Sequence, residues 1–574
     1  MQHELGFNLM NINPTILPLY QRLKLFLTKP LGCGNFLQYS VANNPYRNND
    51  FLFLEKPFQT FTGETINRFS LSSLKDVVDN YASWYRKSGV RENDPVAIYL
   101  DDGIGYFIHY LALNNLGAIP VLVNGRMDAD IAADFISRVG AIGLYSDQKH
   151  LDTISGYLKT NDLLKFIATD INNTAVQSSE IQLPQWYPYS PTDSHPIMIC
   201  HSSGTTGKPK PVIFGHQQFF FGKRIRLLNF PASQSDKFLF ALPSSHSAGI
   251  SYFMTVTLLG LPTMVLSDLS GNNAITQAKE LKATIVAAFP QTYADMASQA
   301  LEKDQLSSVK MWINTGDAAH EAHIRTLVNA GNSKSVFIDG LGASELGMAL
   351  FNKVSSRQTS LYNRYMGKPR SFVKAVVLDE EGNLLPPYQV GFLGIKSPTI
   401  TPGYWNDSNR TLKSYKQGYW ISGDLAYYDQ ENKFFHVDRA VDAIQCASGL
   451  VNTLPIEELI LKNNSAVADC TIIGVPKEKG LDGLVAFIKL KAPENITPSA
   501  LITAINKQLL DNKFEPLSFL KIVINLPVGS TGKVLKRKLR EQYQDILICA
   551  EHNLEGKGLH DFAYAQQSKV QVRS

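Results

Sequence analysis

Through the first 340 residues, short apolar runs alternate with segments of helical spacing. Pro95–Leu100 and Ile119–Val123 read as strands, and Gly105–Leu116 between them has the 3.6-residue period of a helix. Further strands are predicted at Ile197–Cys200, Thr284–Ala288, Val309–Asn314 and Ser335–Ile338. Helices are predicted between them, for example at Gln217–Leu228 and Ala318–Ala330. This alternation predicts parallel sheets covered by helices, with ligands gathered at the carboxyl ends of the strands. From about Lys374 the strands shorten and turn residues crowd in (Pro386-Pro387, Pro402-Gly403), which predicts a β-rich subdomain. After Val437–Val441 a helix (Leu454–Leu461), two strands (Asp469–Val475, Val485–Lys491), a helix (Pro498–Leu510), a strand (Lys521–Asn525) and a helix (Val534–Tyr543) form a smaller unit. The expected fold class is α/β. A large multi-lobed N-terminal domain with helix-covered sheets spans 1–438, a small α+β C-terminal domain spans 439–556, and 557–574 is a loose tail.

One passage needs separate treatment. The 30 residues between Lys237 and Asp268 contain no Lys, Arg, Asp or Glu. A membrane span needs about 20 predominantly apolar residues. Here Pro243–Gly249 and Gly260–Pro262 interrupt the run. A buried strand–helix–strand passage is therefore expected, with strands at Phe238–Leu242 and Thr263–Leu266, and no integral membrane segment.

Composition narrows the class. Only 18% of the 574 residues are charged, below the usual ~25%, so the chain buries a large core. Fifty-five basic and 51 acidic residues give a net charge of +4, too even for a nucleic-acid partner. Cys33, Cys200, Cys446, Cys470 and Cys549 are scattered and contain no Cys-x-x-Cys pair, which excludes a disulfide scaffold, a zinc ribbon and a thioredoxin motif. With no secretory pattern at Met1–Phe7, a cytoplasmic location is expected.

The most informative run is His201–Lys210 (His-Ser-Ser-Gly-Thr-Thr-Gly-Lys-Pro-Lys), between a strand and a helix. Hydroxyls, glycines and lysines in one loop make a donor-rich, cationic cradle for an anion. A Walker A loop needs four residues between its glycines and a hydroxyl residue after the lysine. Here two residues separate Gly204 from Gly207, and Pro209 follows Lys208. Ser202–Lys210 resembles the nucleotide loop of the adenylate-forming superfamily, the AMP-dependent acyl- and aryl-CoA ligases and their relatives. Gly342-Ala-Ser-Glu345, Ser422-Gly-Asp-Leu425, Asp438-Arg439 and Gly532-Lys533 resemble successive motifs of that family in the same order. The resemblance implies ATP-dependent activation of a carboxylic acid as an acyl adenylate, with a C-terminal domain that is mobile about Ala440-Val441.

It also implies roles for individual residues. Ser202, Ser203, Gly204, Thr205, Thr206, Gly207 and Lys208 would hold the phosphates. Glu345, with Ser344 beside it, would bind Mg²⁺; read from the residues alone, Glu345 is equally a helix-start carboxylate facing the dipole. Thr315, Gly316, Asp317, Gly340, Leu341 and Gly342 would flank adenine, although the family usually carries an aromatic where this chain has Leu341. Asp424, otherwise an Asx turn, would bond the ribose, and Arg439 the ribose or a phosphate. His246, Gly249 and Tyr252 would wall the acid pocket. Lys533, on a glycine loop and off the apolar stripe of the following helix, would bridge the carboxylate and the α-phosphate. Lys536, Arg537, Lys538 and Arg540 read as a solvated face. His320 and His323 read as a surface helix and not a zinc site.

The second substrate implied is coenzyme A, entering beside Ser448 and Gly449. Val441 and Gln445 depart from the family pattern there. The alternative acceptor is the phosphopantetheine of an acyl carrier protein, none being fused after residue 545. A nucleotide-binding pseudoenzyme is the remaining alternative, opposed by Lys533 and Glu345. No acidic residue lies in Phe238–Ser267 to pair with an ammonium, so the acid is expected to lack an α-amino group.

Overall fold

The computed structural model describes residues 13–158, 164–169, 183–192, 194–202, 208–359, 362–476, 481–492, 496–529 and 532–551, with side chains of the last helix described up to residue 543. The expected tail at 557–574 lies outside the described residues.

Two sheets form the large lobe. In the first, the strands Phe166–Ala168, Gly143–Ser146, Pro95–Leu100, Ile119–Asn124 and Pro196–Ser202 lie side by side and parallel, and Lys210–Gly215 returns antiparallel at the edge. In the second, Asp50–Gln59, Thr263–Val265, Phe238–Ala241, Ile285–Ala288, Met311–Asn314 and Val336–Gly342 are parallel neighbours. Strands buried on both faces carry unbroken apolar runs, as in Ile285-Val-Ala-Ala288, where every residue is buried.

The uncharged passage resolves as foreseen: a strand at Phe238–Ala241, a helix at Ser247–Leu259 and a strand at Thr263–Val265. The helix is uncharged because it is buried nearly all round, leaving only Ala248 and Tyr252 half-exposed. Phe253 stacks on Phe107 of the helix Ile104–Asn115, with centroids 4.0 Å apart and planes 2° apart. That contact ties together the helices between the two sheets. Among the described residues no helix is long and apolar enough to cross a membrane.

The β-rich segment is continuous with the second sheet. Val336–Gly342 pairs antiparallel with Ala349–Ser356, which leads through Tyr365–Pro369 to Phe434–Arg439, Tyr419–Tyr428 and Gly391–Lys396. Phe434–Arg439 is thereby aligned so that Arg439 faces Asp424.

Beyond it, Val467–Pro476, Asp482–Leu490 and Leu517–Val523 form a three-stranded sheet with its own apolar cores. One lies against Thr453–Asn463 and Pro498–Asp511, the other against the C-terminal helix Lys536–Glu551. Two expectations fail here. His320 and His323 are not on a solvated surface. His323 Nε2 lies 2.8 Å from the carbonyl of Ala468, and His320 Nδ1 lies 3.1 Å from Glu458, so this helix start is covered by the C-terminal unit. Lys536 is not part of a solvated face either. Its ammonium donates to Thr453 Oγ1 at 2.8 Å and lies 3.4 Å from Glu457. Burial alone would lower the Lys536 ammonium, but the charges of Glu457, Asp442 and Asp438 outweigh it and keep the group a cation.

Candidate active site

The strand Pro196–Ser202 ends at a hydroxyl that donates to Glu345 Oε1 at 3.2 Å, and the phenol of Tyr404 donates to the same oxygen at 2.9 Å. Burial and the neighbouring Glu345 charge push the Tyr404 phenol well above its ordinary value, so it remains a donor. Glu345 sits in a single tight turn, Ser344–Leu346, directly after the strand Val336–Gly342. Gly347 closes that turn at φ +72°, and a Cβ there would lie 2.2 Å from the carbonyl of Thr399. Only glycine fits. The second carboxylate oxygen of Glu345 has no hydrogen-bond or ion-pair partner among the described residues and is available to a ligand.

Lys533 approaches from the C-terminal unit on a small loop. Gly529 N–H donates to the Lys533 carbonyl at 2.8 Å, Gly532 N–H donates to the Gly529 carbonyl at 2.9 Å, and Val528 bridges Val534. The ammonium lies 3.5 Å from Asp317 Oδ2. Burial pushes the Asp317 carboxyl up, but Lys533 and Arg439 outweigh it and hold it below the usual range.

Arg439 donates to Asp424 Oδ1 at 2.9 Å, and His436 Nε2 stands 3.5 Å from the same oxygen. Burial alone would raise the Asp424 carboxyl. The charge of Arg439 and the nearby imidazole of His436 instead hold it far below its ordinary value. Asp424 is thus a fixed anion that aims the guanidinium.

These groups surround one cavity of about 270 Å³. Ser202, Lys210, Thr315, Gly316, Gly342, Ser344, Glu345, Arg439 and Lys533 line its polar part, and His246, Ala248, Tyr252 and Met348 its other wall. His246 caps the buried helix, its Nδ1 accepting the Ala248 N–H at 3.1 Å, and its ring meets Phe289 edge-on at 4.9 Å. Burial, then His201 and Lys533, lower it to about 3, so the imidazole is neutral. A larger cavity of about 420 Å³ adjoins through Ser202, Arg439, Val441 and Lys533.

Several expected residues are placed elsewhere. Ser203, Gly204, Thr205, Thr206 and Gly207 lie outside the described residues. Lys208 is exposed, 3.6 Å from Asp134. Gly340 sits within the strand opposite Asn352, and Leu341 is buried beside a small separate cavity with Ala318, Asp339 and His436. Ser448 and Gly449 form the tip of a hairpin between Ile444–Cys446 and Gly449–Val451, away from both cavities. Gly449 has φ +110° and open space around it. Gly249 does not line the cavity: a Cβ there would lie 2.1 Å from the carbonyl of Pro243. Gly249→Ala should therefore lower stability by about 1–3 kcal/mol through overpacking against backbone, which a urea titration would measure. A midpoint equal to wild type would show that the helix start yields freely.

Three lining residues escaped the sequence reading. Lys210 closes the recognised loop and faces the cavity. Tyr404 lies in the Pro402-Gly403 turn. Arg226 comes from the helix His216–Asn229 and lies over the ring of Tyr252, 4.2 Å from its centroid. Nothing in that helix, where Lys223, Arg224 and Arg226 all follow three phenylalanines, set Arg226 apart.

Residues 51–405 match the family model described as AMP-binding enzyme. The chain is 34% identical over 557 residues to a 3-aminoavenalumate diazotase of a Streptomyces species, covering 91% of this chain and 98% of that one. It is 24% identical over 476 residues to a 2-succinylbenzoate–CoA ligase of Geobacillus sp. (strain WCH70), covering 82% and 91%. Its fold matches the crystal structure of the anthranilate CoA ligase AuaEII in complex with anthranoyl-AMP, with a TM-score of 0.77 at 20% identity, covering 89% of this chain and 97% of that one. It also matches the O-succinylbenzoate coenzyme A synthetase from Bacillus subtilis in complex with ATP and magnesium, at a TM-score of 0.72 and 20% identity, covering 88% and 99%. The chain belongs to the AMP-binding enzyme family, the adenylate-forming ligases.

Proposed function

We propose that this cavity joins an anionic acid to the α-phosphate of ATP, releases pyrophosphate, and passes the activated group to the thiol of coenzyme A. The observation that carries the reading is the convergence of Lys533, Glu345 and Arg439, from three distant stretches of chain, on one cavity. A carboxylate resists attack because of its charge and poor leaving group. Adenylation supplies a leaving group without a covalent enzyme nucleophile, so the protein's task is positioning and charge stabilisation. Lys533 would neutralise the charge gathering between the acid and the α-phosphorus. Arg439, aimed by Asp424, would hold the ribose or a phosphate. Ser202 and Tyr404 would fix the carboxylate of Glu345.

The free oxygen of Glu345 amid hydroxyl donors suits Mg²⁺, which prefers one or two carboxylates plus phosphate oxygens. Such an ion would neutralise phosphate charge. On this reading Asp424→Ala, which frees Arg439 to swing away, should raise the KM for ATP roughly 10–100-fold with a smaller change in kcat, the worth of a charged hydrogen bond. Steady-state kinetics against ATP check it, and an unchanged KM would remove Asp424 from nucleotide binding.

Residues 1–438 and 439–556 would act as a fixed and a swinging domain. The hairpin bearing Ser448 and Gly449 would reach the thiol path only after the C-terminal domain rotates. An acyl carrier protein presents the same thiol and is the alternative acceptor.

A second reading is favoured by the 34% identity to a diazotase. The same machinery would then adenylate nitrite. An arylamine in the acid pocket would attack the nitrosyl nitrogen, displace AMP, and lose water to give the diazonium ion. AMP release, followed across a carboxylic-acid panel with coenzyme A and across arylamines with nitrite, decides between them. Acid-dependent AMP with thioester formation supports the first reading, and nitrite-dependent AMP without thioester supports the second.

A further inference from the structure

Arg226 is a cation without an anion. Its guanidinium donates through one nitrogen to Ser251 Oγ at 3.0 Å and Thr255 Oγ1 at 3.2 Å, hydroxyls on the buried helix. Its remaining nitrogens have no partner among the described residues. Two further cations stand near it. Lys223, one turn earlier on the same helix, is buried and donates to the Phe219 carbonyl at 2.8 Å. Arg370 donates to the Ala349 carbonyl at 3.0 Å. Among the described residues no carboxylate forms an ion pair with any of the three. Burial, then Arg226, lowers both Lys223 and Arg370, as expected of positive charges facing one another without compensation.

Arg226 is half-buried and has no anionic partner among the described residues, an arrangement that an anionic ligand would complete. Arg226 lines the same cavity as Lys533, beside Ser251, Tyr252 and Met348. A guanidinium with free N–H groups, held by two hydroxyls and stacked on a phenol, is preorganised for a planar oxyanion. Resting on the adenylation reading above, we propose that the substrate carries a second carboxylate, remote from the reacting group, and that Arg226 is the residue that selects it. The pocket would thus accept a molecule with an anion to place on Arg226 at one end and a group to be activated near Lys533 at the other. In the nitrite reading that same remote carboxylate belongs to the arylamine.

The test compares each dicarboxylic acid that drives AMP release with its monomethyl ester at the remote carboxyl, and each aminoaryl acid under nitrite with its methyl ester. Wild-type kcat/KM should favour the free acid roughly 10–100-fold, the worth of a charge-assisted pair. In Arg226→Gln the ratio should collapse towards one, mostly through KM of the acid, while Arg226→Lys should retain part of it. A wild-type ratio near one, or a ratio unchanged in Arg226→Gln, overturns the proposal. If neither acids nor nitrite release AMP from the wild type, the adenylation reading itself falls and this inference with it. AMP release without a preference for the free acid sinks the inference alone.

Discussion

Lys533→Ala should abolish pyrophosphate exchange, by three or more orders of magnitude, and leave the melting temperature nearly unchanged. The two halves of this expectation have separate physical grounds. Among the described residues the Lys533 ammonium pairs only with Asp317, at 3.5 Å with both side chains partly exposed, and such a pair contributes about 0–1 kcal/mol to stability. In the reaction it would meet charge that grows between two anions in the cavity, where preorganised donors act most strongly. The loop that carries it holds its shape through backbone contacts, so truncating the side chain leaves the loop in place. Exchange close to wild type would remove Lys533 from the chemistry. A large drop in melting temperature would show instead that it holds the C-terminal unit against the large lobe.

That docking rests on a different group. Glu458 accepts from Arg364 at 2.9 Å, lies 3.1 Å from His320 Nδ1, and is almost wholly buried. Burial pushes its carboxyl up, but His320 and Arg364 outweigh burial and bring it from 4.5 to about 2. Because the folded value is depressed, the stabilisation is present above about pH 4.5 and is lost as pH falls towards 2. Burial lowers His320 and Glu458 raises it, with a net rise, so its share is full below pH 6.5 and is lost as pH climbs through the raised value. Glu458→Gln removes one partner of a buried cluster and should cost about 3 kcal/mol at neutral pH. It should also flatten the stability change between pH 4.5 and 2. Thermal unfolding across that range measures both effects. An equally steep acid limb in the variant would assign the acid sensitivity to other carboxylates.

The contrast between these two residues shows where the sequence was legible. Lys533 and Glu345 stand in short local patterns of glycine, hydroxyl and charge that fix the turn presenting the side chain, whereas Arg439 ends a strand whose pairing sets it opposite Asp424. The passage from Phe238 to Val265 was equally readable, because glycine and proline bracket a helix without a single charged residue. Partners far apart in the chain left no such mark. His320 and Glu458 are 138 positions apart, and Lys536 and Glu457 are 79 apart. Alone, each reads as an ordinary polar residue on a helix; docking of the two units turns the first pair inward, and packing within the C-terminal unit the second. Arg226 was hidden for the same reason, since the hydroxyls that aim it belong to another helix. Gly249 was misplaced because a glycine beside a pocket and a glycine pressed against backbone look alike until the carbonyl of Pro243 is in place.

In the proposed reaction an oxygen of the acid bonds to the α-phosphorus of ATP. The most direct test uses the acid that gives the greatest AMP release, or nitrite if that is the substrate, labelled with ¹⁸O. Mass spectrometry of the products should find one labelled oxygen in AMP and none in pyrophosphate. Label in pyrophosphate or free phosphate, or AMP without label, would contradict the account.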